Sequence, residues 1–344
     1  MTQNSLSLQL ITKETDYNNI FIGTSSFLDD KWDLSPFITS KTIKDSKRYV
    51  SFHYIKNEEM KQIIKQYAYH KLGQIKPQTV QNYINGNLPL FVEYCDINNV
   101  NHFNEVTKEI FLQYTLWIKE KKGVSAVAGY IRSKVVEEII KVGQIKGWDV
   151  PKENLFVDIN SMDLWRSNIN RQEKKPLPIP DDIFDEILYY AVNKETNVLT
   201  RAGIIIQSQT GLRINEVLSI KQGCVHTTRD GHDYMEVTLS KTEKGESIVH
   251  KVFINELVKK TILELEEFTA PLREESGLKE LFLIRYFGIR NLKVDKWTNR
   301  RLPNFIKKWD IRDKKGNLYP LKSHQFRTTF VRTLVKKMCL SHIL

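Results

Sequence analysis

Thr210-Gly211-Leu212-Arg213-Ile214-Asn215-Glu216 closes one helix and opens another. Apolar positions recur at helical spacing from about 197 to 208 and stop at Thr210-Gly211, glycine being the residue that most easily ends a helix in the left-handed conformation. Arg213 then stands just before a short helix that holds Val217, Leu218 and Ile220. A second stretch, Ser323-His324-Gln325-Phe326-Arg327-Thr328-Thr329-Phe330, opens a helix over 324–338, with Ser323 read as its N-cap. His324 and Arg327 are three apart and share one face. Helix N-termini carry partial positive charge and favour acidic side chains. Arg213, His324 and Arg327 break that preference, and such breaches are expected mainly at functional sites. A bound phosphate resolves the conflict, because free N–H groups and two guanidinium forks can hold its oxygens.

Around these stretches the second half of the chain reads as mainly helical. Asp181 is read as the N-cap of a helix through Ile183, Ile187 and Leu188. Tyr234–Leu239 and 248–254 alternate like two strands, and Lys241-Thr-Glu-Lys-Gly-Glu between them makes a hairpin. A lysine at such a tip can reach a groove and protonate a leaving oxygen if neighbouring cations lower its pKa. Lys241 is the first candidate and Lys244 the competitor. Helices near 255–268 and 298–309 complete this half.

Charge is concentrated at the C-terminal end. The chain of 344 residues has a net charge of +11, yet residues 284–344 hold 16 Lys and Arg against 3 Asp and Glu, leaving the rest slightly acidic. Tyr286, Trp297, Trp309 and Tyr319 are interleaved with the basic residues. Localised positive charge with aromatics is a footprint for nucleic acid, and Lys244, Arg300, Arg301 and Lys322 are the candidate DNA contacts.

In the first half, residues 1–56 alternate like strands at Ser5–Leu10 and Tyr49–Ile55, with turns at Gly23-Thr-Ser-Ser and Leu34-Ser-Pro. This stretch is either a small module or an extension packed on the next domain. Residues 57–165 carry four amphipathic helices: Asn57 to Gly73; one opening at Thr79, with a kink or break expected at Pro89; Thr107 to Gly123; and one from Ser125 through Val142. Short connections between them suggest a compact bundle. Residues 166–180, with Pro176, Pro178 and Pro180 near the end, read as an extended linker. Residues 181–344 form the second domain.

Hydrophobic residues make up 41% and aromatics 10% of the chain, which excludes a disordered chain. No apolar run is long enough to span a bilayer. The N-terminus lacks the basic flank and apolar run of a signal peptide. Cys95, Cys224 and Cys339 are odd in number, far apart and without zinc-ligand spacing, as suits a reducing compartment. The expectation is a cytoplasmic protein with no membrane association.

The ordered set Thr210-Gly-Leu-Arg-Ile-Asn-Glu, a hairpin lysine and His324-Gln-Phe-Arg resembles the tyrosine recombinases, the phage-integrase type that includes transposon-encoded members. The resemblance covers about residues 76–344. It implies a mainly α fold with a small β-hairpin or sheet (α+β): a four-helix core-binding domain joined to a DNA breaking-rejoining catalytic domain, the two clamping double-stranded DNA as a homo- or hetero-oligomer. It also implies the roles. Arg213 and Arg327 stabilise the pentavalent phosphorus of the transition state, Lys241 is the general acid, His324 is a hydrogen-bond partner or base, and Glu216 orients the arginine pair. Strand cleavage through a 3′-phosphotyrosine stores the bond energy, so the resemblance implies no metal and no cofactor.

The sequence departs from the family in one respect: no tyrosine follows Arg327. The expectation is a recombinase truncated before its nucleophile and inactive alone, with a non-catalytic DNA-binding partner of a complete recombinase, or a tyrosine supplied in trans, as alternatives. Loss of later helices would expose Phe330, Val331 and Leu334 and leave order marginal beyond about residue 335. A basic RNA-binding protein is disfavoured by the lack of a recognisable RNA motif.

Overall fold

The computed structural model describes residues 16–38, 40–121, 123–166, 177–239 and 249–341, with side chains as far as 336. The chain divides into two compact units. One takes residues up to 39 and 45–174; the other takes Ser40–Lys44 and everything from Lys175 on. The architecture is mainly α with small antiparallel sheets, as the sequence predicts. The predicted strand at Ser5–Leu10 lies outside the described residues.

In the first unit, β1 (Phe21–Ile22) pairs with β2 (Ser25–Ser26), and β3 (Lys31–Asp33) pairs with β4 (Tyr49–Ser51). Ser25 and Ser26, read as turn residues, are therefore strand, and the strand expected over 49–55 shortens to three residues. These pieces share a small aromatic cluster, Phe27 against Trp32 at 5.4 Å and Trp32 against Phe52 at 4.8 Å, that is completed by α1. Trp32, Phe27 and Phe52 are fully buried, and Phe27 meets Tyr69 of α1 (Glu58–Leu72) edge-on at 6.0 Å. Lys65 of α1 donates to the Leu28 carbonyl at 2.8 Å, and Asp30 draws Lys61 to 3.2 Å and Lys65 to 3.4 Å. Residues 16–38 and 45–56 pack on the helices of this unit.

The helices start where local chemistry caps them. Asn57 accepts from the Met60 N–H, Thr107 from Ile110 and Ser125 from Ala128, satisfying N–H groups that have no intrahelical partner. These open α1, α4 (Lys108–Glu120) and α5 (Ala126–Lys146). The second predicted helix is split. α2 (Pro77–Asn82) runs into a π turn, Tyr83–Asn87, and Pro89 opens α3 (Pro89–Ile97). A proline costs little at a first helical position, where its N–H would be unpaired anyway. The short α6 (Ser161–Trp165) seats the fully buried Trp165 on α5, its indole N–H donating to Ser133 at 3.0 Å. A Cβ at Gly129 would lie 2.2 Å from the Trp165 ring. Gly129→Ala is therefore expected to destabilise the chain by about 1–3 kcal/mol through overpacking, seen as a lower urea midpoint at unchanged slope. An unchanged midpoint would show that the ring yields freely.

The second unit begins with α7 (Asp181–Asn193). Pro180, not Asp181, holds the N-cap position, and Asp181 is the first helical residue. α8 (Val198–Thr210) follows, then α9 (Ile214–Val217). β6 (Asp233–Thr238) pairs antiparallel with β7 (Val249–Phe253), from Tyr234↔Phe253 to Thr238↔Val249, and β5 (Val225–Thr227), which the sequence pattern missed, adds a third strand. α10 (Glu256–Ser276) runs eight residues past its predicted end, through Pro271. A second hairpin, β8 (Leu283–Arg285) with β9 (Ile289–Asn291), leads into α11 (Val294–Lys296), a π turn at Trp297–Arg301 and α12 (Leu302–Lys308). α13 (Ser323–Ser341) closes the described chain. Ser40–Lys44 belongs to this core: Thr42 is fully buried, its carbonyl accepts from the Val294 N–H at 2.9 Å, and Lys41 pairs with Glu280 at 3.0 Å.

Among the described residues no helix is long and apolar enough to cross a membrane.

Candidate phosphate-binding site

The site grows from the C-terminal end of α8. Thr210 is the last helical residue, its hydroxyl donating to the Ile206 carbonyl at 2.6 Å. Gly211 then takes φ +63°, and its N–H returns to the Gln207 carbonyl at 3.1 Å. Only glycine adopts that conformation without strain. It is needed here for a second reason, because a Cβ would lie 2.4 Å from the Phe330 ring of α13. Phe330 is thus packed against the turn rather than exposed, contrary to expectation, whereas Val331 and Leu334 are exposed as expected.

Arg213 caps α9. Glu216, three residues on, reaches back with one oxygen to the Arg213 N–H (2.8 Å) and with the other to Arg213 Nη1 (3.0 Å). Its side chain is wholly buried, while that of Arg213 keeps about a quarter of its surface exposed. Arg327, one turn into α13, donates Nη1 to the Gly211 carbonyl at 3.0 Å. Arg327 is therefore anchored two residues before Arg213, whose own guanidinium is held by Glu216 of α9, and both arginines are only half-buried.

Gln207 fixes this geometry, and the sequence pattern gave it no role. It is buried, donates Nε2 to Ser323 Oγ at 2.7 Å, and accepts from the same hydroxyl at 3.0 Å. The end of α8 and the start of α13 are thereby tied together. Ser323 is accordingly not the N-cap; it is the first helical residue, with its hydroxyl committed to Gln207. The capping job falls to Gln325, whose Oε1 accepts from the Lys322 N–H at 2.8 Å. A polar residue inside the apolar run Ile204-Ile-Ile-Gln207 was the signal available.

His324, on the first turn of α13, and Lys322, just before it, are exposed. Lys241 and Lys244 lie outside the described residues. Arg300 and Arg301 are not at this turn. They line a cavity of about 400 Å³ at the other end of α8, about 20 Å away along a helix of 13 residues. Arg301 donates to Asn197 (2.8 Å) and Thr200 (3.1 Å), bracing the start of that helix. Lys308 in the same cavity pairs with the buried Glu195 at 2.9 Å.

Burial alone would raise the Glu195 pKa. The Lys308 ammonium, the Asn197 N–H and the Trp309 indole outweigh it and hold the carboxyl below its usual range. The stability it contributes is present above the unfolded value of about 4.3 and is lost as pH falls through the lower folded value. Glu195→Gln should therefore flatten the acid limb of a stability–pH profile. An unaltered acid limb would remove Glu195 as its cause.

The aromatics of the basic stretch are mostly structural. Trp297 is fully buried, Trp309 stacks on Tyr190 at 4.9 Å, and Tyr319 is half-buried, whereas Tyr286 is exposed. Among the described residues, Arg285, Lys308, Arg312, Arg332 and Lys336 also have carboxylate partners. Their charge is offset by acidic residues, one of them as distant in sequence as Asp181. Among the described residues no group of His, Cys, Asp and Glu side chains is placed to hold a metal.

No protein-family model matches the chain, and no curated protein matches it either. Solved structures do. The integrase of the Tn1549 transposon, in complex with transposon right-end DNA, superposes with a TM-score of 0.55 at 16% identity, covering 80% of this chain and 86% of that one. The XerH site-specific recombinase bound to a palindromic difH substrate gives 0.56 at 16% identity, covering 87% and 81%. The Tn1549 integrase with circular-intermediate DNA gives 0.56 at 16%, covering 80% and 86%. The fold is therefore that of the tyrosine recombinases and integrases.

Proposed function

We propose that this chain binds double-stranded DNA and works in strand cleavage and rejoining of the tyrosine-recombinase type, as part of an oligomer on DNA in the cytoplasm. The observation that carries the proposal is the anchoring of Arg213 and Arg327 at the Gly211 turn, half-exposed, with a buried carboxylate aligning one of them. Such a pair suits the two non-bridging oxygens of one phosphodiester. The resemblance adds Lys241 as the acid that protonates the leaving 5′-oxygen and His324 as a hydrogen-bond partner or base. Lys244, Lys322, Arg300 and Arg301 are proposed to touch the DNA backbone. Arg301 does so with the nitrogens its brace leaves over. The transposon and recombination complexes with the same fold support DNA as the substrate class.

The sequence after Arg327 holds no tyrosine. No nucleophile is assigned within residues 1–344. The second reading is a DNA-binding partner that does no chemistry itself.

Two measurements test the proposal without needing a nucleophile. Affinity for a duplex should fall with salt, log K against log salt having a slope of about −0.9 per phosphate neutralised. Vanadate, at ten times its dissociation constant, should stabilise the chain by about 1.4 kcal/mol, and Arg327→Ala should abolish that shift. Absence of duplex binding at low salt would overturn the DNA assignment. A vanadate effect that survives Arg327→Ala would overturn the site. A covalent adduct formed once a tyrosine-bearing partner is added would separate strand transfer from binding alone.

A further inference from the structure

Leu177-Pro178-Ile179-Pro180 leads into α7. Proline fixes its own φ and pushes the residue before it into extended backbone, so this segment is stiff. It is bonded to α13 along three turns. Gln325 donates Nε2 to the Leu177 carbonyl at 3.2 Å, the Ile179 N–H donates to Thr329 Oγ1 at 2.8 Å, and Arg332 donates Nη2 to the Ile179 carbonyl at 3.1 Å. Arg332 and Lys336 then pair with Asp181, the first residue of α7. Ile179 and Thr329 are buried. Standing between two prolines, Ile179 carries the one backbone N–H of residues 178–180, and Thr329 takes it. The Thr329 hydroxyl in turn donates to the Gln325 carbonyl at 2.9 Å.

Positions 325, 329, 332 and 336 share one face of the helix. Arg327 lies about 200° round from Gln325, at about 100° per residue. This segment therefore grips α13 on one side, and the helix meets the Gly211 turn on another, through Arg327 and Phe330. The Gln207–Ser323 tie sits at the first residue of α13. One tether at an end fixes where a helix starts but leaves it free to roll about its axis. Bonds along one face stop the roll, and the roll decides whether Arg327 Nη1 stays at 3.0 Å from the Gly211 carbonyl.

We propose that Thr329 is a positioning residue: by holding residues 177–180 against α13 it sets the roll of the helix and, with it, the Arg327 guanidinium. The stretch by which the chain enters the second unit thereby becomes part of the support of the phosphate site. The affinity test of this role rests on the proposed function; the spectroscopic test does not. Gly211-Leu212 and Gly277-Leu278 are the two Gly-Leu pairs of the chain. The full chain, carrying ¹³C-carbonyl glycine and ¹⁵N-leucine, therefore reports the peptide unit that accepts from Arg327, with Leu278 as internal reference. Arg327→Ala marks the Leu212 shift of the broken bond. Thr329→Val keeps the shape and neither hydrogen bond, and should move the Leu212 resonance most of the way there. Thr329→Ser keeps both bonds and should leave it in place. Vanadate affinity should fall about tenfold in Thr329→Val, the worth of one charge-assisted hydrogen bond, and stay within about twofold in Thr329→Ser. Should Thr329→Val fail to fold, Arg332→Gln, at a partly exposed side chain, should move Leu212 the same way by less. A Leu212 resonance that stays put in the folded variant, or that moves as far with serine as with valine, would overturn the proposal. Absence of vanadate binding by the unaltered chain would overturn the phosphate reading instead, with the Leu212 resonance still deciding the role of Thr329.

Discussion

Arg213→Ala is expected to cost the second unit about 3 kcal/mol and to remove its affinity for vanadate at the same time. The stability loss arises from Glu216 rather than from Arg213. The Glu216 side chain has no solvent exposure, and a buried carboxylate that loses its charge partner costs several kcal/mol. The loss is held near the lower end of that range because Glu216 keeps the N–H of residue 213 at 2.8 Å, and a charge-assisted bond of that kind is strong. Two further variants separate the causes. Arg213→Ala combined with Glu216→Gln should recover part of the stability, since the stranded charge is gone, but none of the vanadate affinity. Arg213→Lys should keep most of the stability and lose most of the affinity, because a lysine supplies charge without the fork. Urea unfolding and vanadate-dependent thermal shifts measure the two effects. A loss below about 1 kcal/mol for Arg213→Ala would show that Glu216 is held by its backbone bond alone.

Trp297→Ala is expected to have the largest effect on stability alone, about 3–5 kcal/mol. Trp297 is fully buried in the core that includes Leu302, Phe305 and Ile306. It presses on α8, where a Cβ at Gly203 would come within 2.2 Å of its ring. Truncation leaves a void between α8 and the π turn that carries Arg300 and Arg301. The helix that sets the Gly211 turn loses support on that side. Among the described residues the indole N–H has no hydrogen-bond partner, so Trp297→Phe forfeits only volume and should cost about 1–2 kcal/mol. Near-equal losses for the two variants would point to an unseen hydrogen bond instead of the cavity.

Much of the local architecture was legible because its causes lie within four residues. The caps at Asn57, Thr107 and Ser125, the glycine after Thr210 and the Glu216 that reaches back to Arg213 are written in consecutive letters. The corrections share a different origin. Asp181 and Ser323 look like caps, but Pro180 already holds the first position, and a buried glutamine 116 residues away claims the serine hydroxyl. Trp297 and Trp309 look like a nucleic-acid surface in one dimension, because composition does not say which side of a helix faces the core. The short strands of residues 16–56 had no clean periodicity, since their rings pack partly on one another and partly on α1.

The sequence by itself determined the residue types at the candidate site, the helices that carry them and the broken dipole preference that marks them. It also determined that no tyrosine follows Arg327 within these 344 residues. The tertiary structure alone decided that Arg327 hangs on the Gly211 carbonyl beside Arg213, that Arg300 and Arg301 stand at the far end of α8, and that Gln207 joins α8 to α13. The physical reason is range. A turn or a cap is selected by hydrogen bonds its own residues can make, whereas the meeting of two arginines from distant segments is selected by burial of the helices beneath them, to which no single segment holds the key.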